Sequence, residues 1–281
     1  MKGFIAVALA CVPSWKRLTL ARPVHLMFSY DEEVGCLGAP SMIAAAQTLL
    51  PKPAAVIVGE PTSMRVANEH KGLCALRTRV TGVEAHSSLT HRGMSAVMLA
   101  GELIAHLGEL SREVARAAVT CHPRFEPPHT TLSVNLIEGG TAINILAGAC
   151  EFGWDIRTLP GDAPSVIREK LSFFVTARLA ELLMEGKRCT VETTVQAEVP
   201  PLLADAGPAI QLGCGGARST AGPISVPFVT EGGHFQRAGW STIVCGPGDI
   251  AEAHMPDEFI ERSALASCES FLDAAILRQC R

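Results

Sequence analysis

Three short stretches of this chain carry side chains that could do chemistry. The first is Asp31-Glu32-Glu33, three carboxylates in a row before Gly35. Neighbouring side chains on an extended segment point in different directions. One of these carboxylates can therefore ligate a metal ion while the next faces a bound water. The second is Glu60, alone between Gly59 and Pro61. The third is His254, in the loop-like stretch Gly246-Pro247-Gly248-Asp249-Ile250-Ala251-Glu252-Ala253-His254-Met255-Pro256-Asp257-Glu258. Each has a plain alternative. An acidic cluster is ordinarily a solvated turn, and a lone loop histidine is ordinarily a surface residue. No zinc-finger or HExxH spacing supports them. Composition and spacing alone leave the function open.

The elements around these residues suggest how they are positioned. Val24 to Ser29 reads as a buried strand running into the acidic cluster, Ser41 to Leu50 as a helix, and Ala54 to Val58 as a second buried strand ending at Gly59-Glu60-Pro61. Apolar strands separated by a helix imply a parallel sheet with helices packed on it. Open sheets of that kind place their sites beyond the C-terminal ends of the strands. The pattern then changes. Leu73 to Val80, Met94 to Leu107, Thr131 to Ile137, Ala149 to Ile156, Ala163 to Leu183 and Cys189 to Ala197 read as β-α-β-β-α-β. That order folds as one antiparallel sheet with two helices on a face, a ferredoxin-like arrangement. The chain then returns through a strand at Thr242 to Cys245 and a closing helix from Ser263 to Gln279. The expected fold class is α/β. Residues 1–67 and 199–281 form a mixed-sheet domain with helices on both faces, and residues 68–198 form the inserted domain.

Bulk properties exclude some partners. The 281 residues are 48% hydrophobic, enough for a sizeable core. A formal net charge of -4 gives no reason to expect nucleic acid or an anionic membrane surface. No apolar run reaches the roughly 18 residues of a membrane span. The ten cysteines show no CxxC pair and no regular spacing. They read as reduced, mostly buried thiols of a cytoplasmic protein. Met1-Lys2-Gly3 and the apolar run Phe4 to Val12 imitate a signal peptide but also suit a buried helix of an α/β protein, which is the expected reading.

The wording of the motifs adds what spacing does not. Ser29-Tyr30-Asp31-Glu32-Glu33-Val34-Gly35-Cys36-Leu37-Gly38 and Val58-Gly59-Glu60-Pro61-Thr62 resemble motifs of the acetylornithine deacetylase and succinyl-diaminopimelate desuccinylase family of dinuclear-metal amidohydrolases. So do His70-Lys71-Gly72, Glu84-Ala85-His86-Ser87, Glu138 to Ile145, Asp155-Ile156-Arg157, Thr230-Glu231-Gly232-Gly233 and the stretch from Gly246 to Glu258. The resemblance runs over nearly the whole chain, in the family's order, and leans to the acetylornithine deacetylases. It implies two zinc ions per active site, with cobalt as a substitute. Glu32 would be the general base. Glu33 and His254 would ligate one metal and Glu60 the other. His86, in the inserted domain, would reach across a homodimer to steady the oxyanion, and Asn144 and Arg157 would lie near the substrate. The implied reaction is hydrolysis of an N-acylated amino acid, N-acetylornithine first, in arginine biosynthesis. The metals would lower the pKa of a water, Glu32 would take its proton and return it to the leaving amine, and oxyanion stabilisation would contribute roughly 3 kcal/mol. A desuccinylase or dipeptidase of the same family stays open.

One departure stands out. The family reads Asp-Met-Lys-Gly where this chain opens Met1-Lys2-Gly3. That Asp bridges both metals, and a further histidine ligand lies upstream of it. The implication is an N-terminally truncated chain, inactive as written, or else a non-catalytic dimerising remnant. Gly3 to Val12 then corresponds to the family's helix after the bridging Asp.

Overall fold

A computed structural model of the chain describes residues 1–116, 122–216 and 222–280. In chain order its elements are α1 (Lys2–Trp15), α2 (Ala39–Leu49), β1 (Val56–Val58), β2 (Ala67–His70), β3 (Leu73–Thr81), α3 (Ala96–Arg116), β4 (Thr131–Gly139), β5 (Ala149–Arg157), α4 (Pro164–Met184), β6 (Thr190–Val199), α5 (Pro208–Gly216), β7 (Ile224–Val226), α6 (Gly232–Arg237), β8 (Thr242–Val244) and α7 (Arg262–Leu277). They form two compact units, one of Met1–Lys71 with Val199–Arg281, the other of Gly72–Glu198.

The first unit is built on a mixed sheet of order β1-β8-β2-β7. β1 pairs with β8 in parallel, Ile57 opposite Ile243, and β2 pairs with β7 in parallel, while Ala67 meets Val244 in the antiparallel sense. Ile243 is fully buried in a core that Ala8, Cys11 and Trp15 of α1, Ala209 of α5 and Cys268, Phe271 and Leu272 of α7 fill from one side. Side chains alternate along a strand, so the buried Thr242 and Val244 point the other way. α6 packs against β8 and α2. The indole N–H of Trp15 donates to Asp273 at 2.7 Å and ties α1 to α7. The opening apolar run is thus a helix folded onto the core.

One expected element is absent. Residues 23–29 run without helix or strand pairing, and Leu26 and Phe28 are exposed. A strand needs a hydrogen-bonded neighbour as well as apolar residues. Among the described residues nothing pairs with this segment, so the acidic cluster follows an unpaired extended stretch.

The second unit is one sheet of order β4-β5-β3-β6 carrying α3 and α4. β5 is antiparallel to both of its neighbours, Trp154 standing opposite Leu76 of β3 and Val134 of the edge strand β4. α3 lies on the sheet because its buried residues Ala96, Leu99, Ala100, Leu103, Leu107 and Leu110 recur at three- and four-residue steps. They pack on Leu76, Val80, Phe152, Trp154 and Ile156. The guanidinium of Arg178 on α4 donates to Glu102 of α3 at 2.6 and 3.2 Å.

Six of the cysteines, Cys11, Cys36, Cys74, Cys150, Cys245 and Cys268, are buried free thiols, Cys189 is half-buried, and Cys214 and Cys280 are exposed. Cys121 lies outside the described residues. No helix among the described residues is long and apolar enough to cross a membrane.

Candidate active site

Three loops of the first unit bring Glu32, Glu33, Glu60 and His254 together. The first loop closes on itself. The N–H groups of Leu37 and Gly38 donate to the carbonyls of Asp31 and Tyr30, and those of Gly35 and Cys36 both donate to the carbonyl of Glu32, at 3.0 and 2.9 Å. The bend places Asp31 and Cys36 at φ 54 and 56. Gly38 is needed for the closure, since a Cβ there would lie 2.3 Å from the carbonyl oxygen of Tyr30. The result separates the two neighbouring carboxylates. Glu32 is half-buried and Glu33 is exposed.

The other two loops follow the parallel strands β1 and β8 and are knitted to each other. Thr62 and Met64 donate their N–H groups to the carbonyl of Gly246, and the N–H of Gly246 donates to the hydroxyl of Thr62. A Cβ on Gly246 would lie 2.3 Å from the carbonyl oxygen of Gly59, so the loops approach at a distance only glycine allows. Glu60 lies in one loop, and His254, at φ 63, ends in the other. Nε2 of His254 stands 3.6 Å from Oε2 of Glu33.

The electrostatics tie the cluster together. Burial, then the neighbouring Glu33, raises the Glu32 carboxyl above its usual range. Burial, then Glu32, pushes Glu60 up to about 7. A fifth member, Glu231, immediately precedes α6. Burial and Glu32 raise it too, while a hydrogen bond with Ser29 lowers it, and its Oε1 is buried without a hydrogen-bond partner. In the sequence Glu231 stands only within the motif Thr230-Glu231-Gly232-Gly233. A carboxylate directly before a Gly-Gly pair at a helix start was the available signal. Charged forms of these acids repel, so the group favours protons or cations.

Among the described residues no group of three or more His, Cys, Asp or Glu side chains is placed to hold a metal ion. Glu33 and His254 form a close pair, and Glu60 is joined to the group through its electrostatic interactions with Glu32 and Glu33. Zinc ordinarily takes about three protein ligands or more. The present set falls short of a dinuclear centre.

The remaining candidates belong to the second unit. His86 is exposed, and its Nδ1 lies 2.7 Å from the hydroxyl of Ser88 and 3.3 Å from the N–H of Ser88. A tautomer whose Nδ1 accepts from that N–H carries its proton on Nε2. Asn144 is near His86 in the fold: its carbonyl accepts from the N–H of Ser87, and His86 bridges Ile145. Arg157 is separate from them at the end of β5, donating to Asp155 at 3.1 Å.

Comparison with known proteins adds the family. Residues 68–182 match the peptidase dimerisation domain model. The chain is 33% identical to the acetylornithine deacetylase of Myxococcus xanthus, over 99% of this chain and 70% of that protein. A tripeptidase from Staphylococcus aureus superposes with a TM-score of 0.66 at 17% identity, over 90% of this chain and 63% of that one. Bacillus subtilis YXEP, described as a dinuclear metal binding peptidase from the M20 family, gives a TM-score of 0.62 at 15% identity, over 98% of this chain and 70% of that one. The two structural likenesses speak to the fold, and the chain spans less than two thirds of the tripeptidase. At one-third identity along its whole length to a deacetylase, with the dimerisation domain in its middle, the chain belongs to the acetylornithine deacetylase and succinyl-diaminopimelate desuccinylase family of amidohydrolases.

Proposed function

We propose that the cluster of the first unit hydrolyses the amide bond of a small N-acylated amino acid, with N-acetylornithine the first substrate to test. The observation that carries this reading is the meeting of Glu32, Glu33, Glu60 and His254 from three separate loops. Glu32 is the general base. A carboxylate raised by burial and by a neighbouring acid holds a proton more tightly, which is what removing one from water requires. The same proton then goes to the leaving amine. Glu33 and His254 are the proposed donors to one metal ion and Glu60 to the other, zinc in the first instance with cobalt as a substitute.

Two donors on one side and one on the other hold metal weakly. Residues 1–281 alone are therefore expected to be close to inactive, with measurable turnover only when metal is in large excess. The second unit is proposed as the homodimer contact in a cytoplasmic enzyme of arginine biosynthesis. His86 would serve the site of the second copy as an oxyanion donor, with Asn144 and Arg157 near the substrate. A desuccinylase or a dipeptidase would use the same machinery, and a panel of N-acetylornithine, N-succinyl-diaminopimelate and simple dipeptides separates them. If none is hydrolysed at saturating zinc while the chain still dimerises, the reading gives way to a non-catalytic dimer.

A further inference from the structure

We propose that Cys36 is a positioning residue for Glu32, its thiol holding the carboxylate in the direction the reaction needs. This rests on Glu32 being the general base. The thiol donates to Oε1 of Glu32 across 3.5 Å, a normal reach for sulfur, and Cys36 is completely buried. The same residue donates its backbone N–H to the carbonyl of Glu32 at 2.9 Å. One residue thus grips Glu32 at both its main chain and its carboxylate.

The backbone makes the side chain conspicuous. Cys36 sits at φ 56, in the left-handed region that glycine adopts without strain. The loop uses glycine at Gly35 and Gly38 but keeps a side chain here, against the strain of that conformation. What the thiol supplies and glycine cannot is the contact with Glu32. Burial first, then the charges of Glu32 and Glu231, drive the thiol well above its usual range. It therefore stays protonated at neutral pH as a hydrogen-bond donor and is no nucleophile.

The S–H stretch in the infrared tests the contact, and turnover tests its purpose. The spectrum of the chain minus that of Cys36→Ala should contain one hydrogen-bonded S–H band. Glu32→Gln, a weaker acceptor, should move that band to higher frequency. With N-acetylornithine and excess zinc, Cys36→Ala and Cys36→Gly should each lower kcat about tenfold with KM held within about twofold. Cys36→Ser, which keeps a shorter donor, should recover part of the loss. Cys36→Gly relaxes the backbone, which offsets part of the burial lost, and circular dichroism of each variant checks that it is folded. An S–H band unmoved in Glu32→Gln overturns the hydrogen bond. Full kcat in Cys36→Gly, with turnover lost in Glu32→Gln, makes Cys36 a packing residue only. Full turnover in Glu32→Gln removes the base itself, a different failure that the infrared band reports separately.

Discussion

His254 and Glu33 lie near opposite ends of the chain, yet Nε2 of one stands 3.6 Å from Oε2 of the other. Both side chains are about three-quarters exposed, at 72% and 74%. An ion pair so open to water contributes less than about 1 kcal/mol to stability. The contact therefore adds little to the fold, and the proposed function gives the pair to a shared metal ion. His254→Ala and Glu33→Ala should each leave the metal-free melting temperature unchanged and each weaken zinc binding. The double variant should bind zinc little worse than the poorer single, because either loss breaks the same pair. Calorimetric titration checks this, and additive losses in the double variant would show two independent sites.

His86 calls for a different signature. Its proposed work is on the oxyanion, so His86→Ala should lower turnover by about a hundredfold or more while leaving metal content intact. Turnover per bound zinc is the quantity to compare. An unchanged value would take His86 out of the mechanism.

His70 gives a prediction that needs no activity. It is fully buried, its Nδ1 donates to the carbonyl of Lys71, and burial pulls its pKa down to about 4 from 6.5. The unfolded chain therefore binds a proton in a window where the folded chain does not. This contribution is whole above about pH 6.5 and is lost as pH falls toward about 4. The difference in urea-unfolding free energy between wild type and His70→Asn should shrink over that window as pH falls. A difference that is flat with pH would mean that His70 is charged in the folded protein.

Much of the second unit was legible because its signals are local. The α3 stripe from Ala96 to Leu110 and the alternation in β3 and β5 announce their own faces. The first unit is held by pairings distant in sequence. Val24 to Ser29 has strand composition but no strand pairing among the described residues. β2 has the opposite character: Asn68, Glu69 and His70 are polar, yet they are buried as a strand between β8 and β7. Glu32, Glu33, Glu60 and His254 were legible as motifs, whereas Glu231 emerged only once its carboxyl was seen beside Ser29 and Glu32.

The proposed dimer can be tested at an edge of the second sheet. β4 is an edge strand, with Leu136 67% and Ile137 59% exposed. An open apolar edge invites pairing, and charged residues on it discourage that. Leu136→Lys with Ile137→Lys should convert a sedimenting dimer into a monomer without altering helix content. A chain that sediments as a monomer before any substitution would rule out the proposed assembly.

The most direct test of the account is the rate of N-acetylornithine hydrolysis by Glu32→Gln relative to wild type, both at saturating zinc. Glutamine keeps the size of the side chain and removes the base. General base catalysis is commonly worth about 10²–10⁴-fold in rate. Wild-type hydrolysis is expected to be slow and to fall by at least about a hundredfold in the variant, with zinc binding preserved. Equal rates, or no hydrolysis by the wild type at any zinc concentration, would contradict this account.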